Sequence, residues 1–176
     1  AEILLGAKNP LIISGSSMSH AGIVNGAVAV AEALASQSKP AMLSLCVAES
    51  NSLGLALLVD SGLKTKPLSI SKLAKKSSKL DTLIILENDL ERRASNTDIE
   101  LLVTAAAKII SMDILENSTL NNSDLVLPAA SYAESQGTLV SSEGRAQRYF
   151  PVYQPAAERL PSWQWLLQLA DACEHK

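Results

Sequence analysis

The sequence predicts an α/β fold in which a parallel sheet is covered by helices on both faces. Three observations carry that expectation. Short β-branched apolar runs alternate with longer segments of helical period along most of the 176 residues. The apolar runs end in small polar clusters, as buried strands of an open parallel sheet do. Hydrophobic residues make up 47% of the chain with only six aromatics among them, so Leu and Ala must fill the core.

The elements follow in order. Residues 1–7 read as a short helical stub broken by Lys8-Asn9-Pro10. Leu11 to Ser14 is a continuous apolar run stopped at Gly15, which predicts a first strand buried on both faces. Ile23, Ala27, Val30, Ala31 and Leu34 recur at three-to-four spacing and predict a helix over 21–36. Gly26 inside it costs up to about 1 kcal/mol against Ala, for which close packing on the sheet offers a reason. Pro40 opens a second strand, 41–47, in which Cys46 is expected as an inert core residue. Residues 51–60 read as an apolar helix closed by Ser61-Gly62.

Residues 64–79 hold six Lys and no acid, and Lys72, Lys75, Lys76 and Lys79 share one helical face, expected to be solvated. Strands are then predicted at 82–86, 108–112 and 124–127, with a helix at 98–107 that turns Ile99, Leu102, Val103 and Ala106 inward. Beyond Pro128 the pattern changes. Residues 137–150 alternate around Ser142-Glu143-Gly144, which predicts a hairpin. Pro151, Pro155 and Pro161 keep the next stretch extended, and Ser162 is expected to cap a last helix over 163–173. Trp163 and Trp165, two apart, cannot both face inward. The architecture expected is Rossmann-like and three-layered, with residues 1–136 as the parallel-sheet domain. Residues 137–176 supply a hairpin, a Pro-rich extension and a helix packed on the same domain.

Composition excludes several classes of function. The longest apolar runs, such as Leu53 to Val59, fall far short of the roughly 18 residues that span a bilayer. A net charge of −3 and so few aromatics offer neither the basic field nor the stacking platform that nucleic acid requires. Cys46 and Cys173 form no CxxC, and His20 and His175 no HxxxH, so no structural zinc or four-Cys cluster can be assembled. Two separate reduced thiols fit a cytosolic chain. The start at Ala1, without Met or a secretory signal, reads as a processed chain or an excised piece of a longer one.

Ligands of open parallel sheets bind outside the carboxyl ends of the strands. Here those ends are Ser14-Gly15-Ser16-Ser17, Glu49-Ser50-Asn51, Glu87-Asn88-Asp89, Asp113 and Pro128-Ala129-Ala130, whose amides, hydroxyls and carboxylates suit a nucleotide-like ligand. The loop from Gly15 to Gly22 joins a strand to a helix start. It reads either as a phosphate cradle or as a Gly turn followed by a Ser-rich cap, and it is neither a G-x-G-x-x-G nor a Walker loop. His20 lacks an orienting acid and fits no hydrolase elbow.

The segment from Ser123 through Leu127-Pro128, Glu134, Gly137-Thr138 and Ser141-Ser-Glu143-Gly144-Arg145 resembles the signature of the molybdopterin oxidoreductase superfamily. Within it, three features resemble the family of G subunits of bacterial NADH:quinone oxidoreductase, respiratory complex I. These are Ala48-Glu-Ser-Asn51-Ser-Leu-Gly54, Thr82-Leu-Ile-Ile-Leu-Glu-Asn88-Asp89-Leu-Glu-Arg92-Arg93, and Glu143-Gly-Arg-Ala-Gln147-Arg-Tyr-Phe150 followed by Ser162-Trp-Gln-Trp-Leu166.

The resemblance implies a fragment from the carboxy-terminal half of such a protein: a structural, redox-silent domain of an enzyme that passes electrons from NADH to quinone. It implies no cofactor in this fragment, with iron–sulfur clusters in the amino-terminal part of the parent. The implied partners are the remainder of the G subunit and other peripheral-arm subunits. The implied location is cytoplasmic, at the inner membrane through the complex. Gly15, Ser16, Ser17, Asn51, Asn88, Asp89, Gly137, Thr138 and Glu143 are the cofactor-binding candidates, as a vestigial cleft. The family's Asn in the turn is Ser141 here, a shorter side chain that suits a site no longer recognising a pterin. Two alternatives stand beside this reading: a pterin-dinucleotide-binding domain of an active molybdenum enzyme such as formate dehydrogenase, and a stand-alone nucleotide-binding module using the Gly15 loop.

Overall fold

The computed structural model describes residues 2–16, 20–62 and 67–174. It is α/β, with parallel strand pairing and flanking helices as expected. The chain divides into two compact units, Ala1–Lys64 with Thr138–Gln147 and Thr65–Gly137 with Arg148–Lys176.

In the first unit, α1 (Glu2–Gly6) precedes β1 (Leu11–Gly15), α2 (Ala21–Ser36), β2 (Met42–Cys46) and α3 (Ser52–Gly62). β1 and β2 pair in parallel from Leu11↔Met42 to Gly15↔Cys46, with α2 as the crossover packed on both. His20, which fits no hydrolase elbow, caps α2: its Nδ1 accepts from the Gly22 amide at 3.1 Å.

Two expectations fail here. β1 is not buried on both faces: its exposure alternates, with Leu11 53% and Ile13 66% exposed. Cys46 is exposed rather than in the core. Both have one cause, since a two-stranded sheet under one helix shelters a single face and strand side chains alternate between faces.

The second unit holds α4 (Ile70–Lys76), β3 (Leu83–Leu86), α5 (Asn96–Ala105), β4 (Ile109–Asp113), β5 (Leu125–Pro128) and α6 (Ser162–Glu174). The sheet order is β3-β4-β5, all parallel. Central β4 is the most deeply buried strand, with Ile109, Ser111 and Met112 all within the core. Ile85, Leu90 and Ile109 form a cluster on which Ile70, Leu83, Ile99, Val103 and Ala106 pack. Three of the four residues predicted to line the inner face of α5 are in that set, and the fourth, Leu102, is buried.

Lys72, Lys75, Lys76 and Lys79 are exposed, as expected; Lys64 and Lys66 lie outside the described residues. The pair β6 (Gly137–Val140) and β7 (Ala146–Tyr149) forms the predicted hairpin. Its turn is closed by Ser141 and Gly144, the latter at φ +82, a conformation that glycine adopts without steric cost.

Ser162 departs from its predicted role. It lies inside α6 and donates its hydroxyl to Glu87 Oε1 instead of capping the helix. Of the two Trp residues, Trp163 is exposed and Trp165 half-buried, with Nε1 donating to Pro128 O at 2.9 Å.

Gly26 has open space where a Cβ would stand, so sheet packing does not explain it. Gly26→Ala is expected to stabilise the protein by about 0.5–1 kcal/mol through helix propensity and the unfolded state, seen as a higher urea midpoint. Met112 has 0% exposure at the centre of β4. Met112→Ala should cost about 2–5 kcal/mol, measured by the same urea transition.

Candidate functional site

The strand ends nominated by sequence are polar, as a ligand site requires, but their polar groups are turned to holding the chain. After β3, Glu87 takes a left-handed φ of 44, costly for a residue with a Cβ. Its amide donates to Met112 O at 2.7 Å and its carboxylate accepts from Ser162, so both halves of the residue are tied to neighbouring elements. Asn88 donates its amide to Leu86 O at 3.1 Å. Asp89 caps the 3-10 turn Leu90–Arg92, accepting from Glu91 N at 3.2 Å. At the end of β4, Asp113 accepts from Ile114 N at 2.7 Å and from Asn117 Nδ2 at 2.8 Å.

In the first unit, Gly15 is required by contact. A Cβ there would stand 2.5 Å from Cys46 O, so the close approach of β1 to β2 admits no side chain. Ser16 donates its amide to the same carbonyl at 3.2 Å; Ser17 lies outside the described residues. The α2 amide that a phosphate would seek at Gly22 is already bonded to His20. Ser14 is the exception. Its Oγ is buried without a partner, on the Ile12 side of the sheet that α2 covers.

Asn51 does long-range work that sequence reasoning had not identified. Its Oδ1 accepts from Val140 N at 2.9 Å and fastens the hairpin to the start of α3. Gly54 makes this contact possible, because a Cβ there would overlap the Asn51 carboxamide. Asn51 and Thr138 line one pocket of about 430 Å³ with Gly54, Leu57, Leu58 and Val140. They are the pair of predicted site residues that the structure brings to a shared cavity, and that cavity is mainly apolar.

Gly137 lies against the Tyr149 ring, 2.9 Å from where its Cβ would stand. Glu143 is exposed at the hairpin tip. Ser141, where the signature has Asn, accepts from Arg145 N through its hydroxyl at 3.3 Å and serves the turn itself.

Glu134, inside the signature, is the most constrained carboxylate. It is buried, completes a capping box by accepting from Ser131 N and Oγ at 2.9 Å each, and meets Arg159 at 3.3 Å. These bonds, led by the Ser131 amide, hold its carboxyl below the ordinary range. Asp98 is lowered chiefly by the Ser71 hydroxyl, which joins α4 to α5. Asp124 is lowered by Lys108 and by the Ile109 amide, at 2.8 Å each.

Comparison with known proteins gives the family. The family model for molybdopterin oxidoreductases matches residues 1–172. The chain belongs to the molybdopterin oxidoreductase family. It is 39% identical to the G subunit of NADH-quinone oxidoreductase from Shewanella oneidensis, over 100% of its length and 20% of the relative's. It is 41% identical to the corresponding G subunit of Pseudomonas fluorescens, over 94% of this chain and 18% of that one. The Escherichia coli G subunit is 36% identical over 96% and 18%. This family domain therefore spans about a fifth of the length of the curated relatives it matches.

Among the strand-end groups, Asn88 Nδ2 and the Gly22 amide donate within the fold, while Asp89, Asp113 and Asn51 Oδ1 accept there, and the described residues contain no group of three His, Cys, Asp or Glu placed to hold a metal. What the arrangement does is lock loops to strands.

Because Asp98, Asp124 and Glu134 are all lowered, each contributes stability that is full above its unfolded value near pH 4 and is lost as pH falls through its folded value. Thermal melts between about pH 7 and pH 3 should show the melting temperature falling on the acid side. Glu134→Gln should lower the neutral-pH melting temperature and flatten that fall.

Proposed function

We propose that this chain is a redox-silent scaffold domain of a G subunit, within a complex that passes electrons from NADH to quinone. The observation that carries the reading is that the strand-end groups of a molybdopterin oxidoreductase fold are spent on the domain's own loops. Support for the parent comes from the three relatives named above, each the G subunit of an NADH-quinone oxidoreductase.

In this reading the domain packs and positions; it does not react. The iron–sulfur clusters sit in the remainder of the G subunit, and the other partners are peripheral-arm subunits. The complex keeps the domain on the cytoplasmic side of the inner membrane. None of the helices among the described residues is long and apolar enough to cross a membrane.

Elemental analysis of the purified complex containing this chain tests the proposal. No molybdenum beyond background, and no fluorescent pterin released on denaturation, are expected. Molybdenum near one atom per chain, with a released pterin, would instead establish the domain as part of an active molybdenum enzyme.

A further inference from the structure

The β1–β2 pair carries apolar side chains on both faces, and α2 covers one of them. On the covered side Ile12 and Leu43 are half-buried. On the other side the in-register residues Leu11, Ile13 and Met42 are 53%, 66% and 61% exposed, with Ser44 and Cys46 completing the row. No charged residue interrupts it. Parallel sheets are almost always covered on both faces, and their strands are accordingly apolar on both sides. This face is therefore incomplete as it stands.

We propose that it is the seat of an apolar segment of the same long polypeptide, contributed from outside the present chain. The inference rests on the reading of the chain as part of a G subunit and assigns a surface to it. Relatives about five times as long provide ample sequence for such a segment. A second copy fits poorly: the row offers five side chains, whereas a standard interface between separate molecules uses about 20–30 residues a side. A segment of the same polypeptide avoids the loss of translational and rotational freedom that a separate partner suffers. Its chemistry is apolar, since a charged segment would be buried here without a counter-charge.

Cys46 reports on the face directly, being the thiol that shares it with Leu11, Ile13 and Met42. In the intact purified complex, labelling of Cys46 by a water-soluble maleimide, read by peptide mass spectrometry, is expected to be several-fold slower than after unfolding in urea. The same protection is expected in the full-length G subunit separated from its partner subunits, independent of protein concentration. Ile13→Asp in that full-length protein should restore Cys46 labelling while leaving the rate at Cys173 unchanged. Cys46 labelled as fast in the native complex as in urea would overturn the proposal. Protection lost on separation would assign the cover to a different polypeptide of the complex, and protection that grows with concentration would assign it to a second copy; either result also overturns it. Peptides of this chain missing from the complex would refute the G-subunit reading itself, and with it this inference. A reactive Cys46 in a complex that contains the chain leaves that reading intact.

Discussion

Everything in the second unit depends on β4 being a strand with no exposed side. It pairs with β3 along one edge and β5 along the other, and Met112 is wholly excluded from solvent. Leaving a buried backbone amide, carbonyl or side-chain hydroxyl without a partner costs stability, so nearly all of them are bonded. Both demands are met locally. Asp124 accepts from the Ile109 amide, Ser123 pairs with the Ser111 hydroxyl at 2.6 Å, and Glu87 and Ala129 donate their amides to Met112 O and Asp113 O. Those bonds account for much of what lies at the strand ends. Polar residues gather there because the central strand needs its neighbours held in register.

The same constraint turns polar strand-end groups toward partners inside the chain. In a ligand site, strand-end groups are left unsatisfied so that the ligand can satisfy them. Here Asn51, Asn88, Asp89 and Asp113 find partners inside the chain, and Glu134 is enclosed by Ser131 and Arg159. The strained φ at Glu87 is retained because that residue joins β4 to α6 through its amide and its carboxylate. In the first unit the balance differs. Two strands under one helix leave an apolar row open, and exposed Leu57 and Leu58 on α3 add to the apolar surface of that unit.

Local signals in the sequence were good guides to the elements. The three-to-four spacing from Ile23 to Leu34 and the stops at Pro40 and Pro128 each mark a boundary within a residue or two of the observed one. Burial was harder to infer. A run such as Leu11 to Ser14 looks the same whether its sheet has two strands or five, and so the exposure of Ile13 and Cys46 could not be inferred from it. Ser162 looked like a helix cap because capping is a local rule, whereas its bond to Glu87 crosses 75 positions of chain. The link from Asn51 to Val140, at a separation of 89, left no periodic trace either; the Asn51-x-x-Gly54 spacing was its one visible sign.

By itself the sequence determined the alternation of strands and helices, the α/β class, the shortage of metal ligands and, through the Leu127-Pro128 to Arg145 signature, the family. These follow from chain-local chemistry: side-chain periodicity, backbone limits at Pro and Gly, and residue identity. Only the tertiary structure decided which strand is central, which apolar face is left open, and whether a polar strand-end group is free to bind a ligand or already bonded. Those are questions of partnership between distant segments, and a residue's partners are set by packing rather than by its neighbours in sequence.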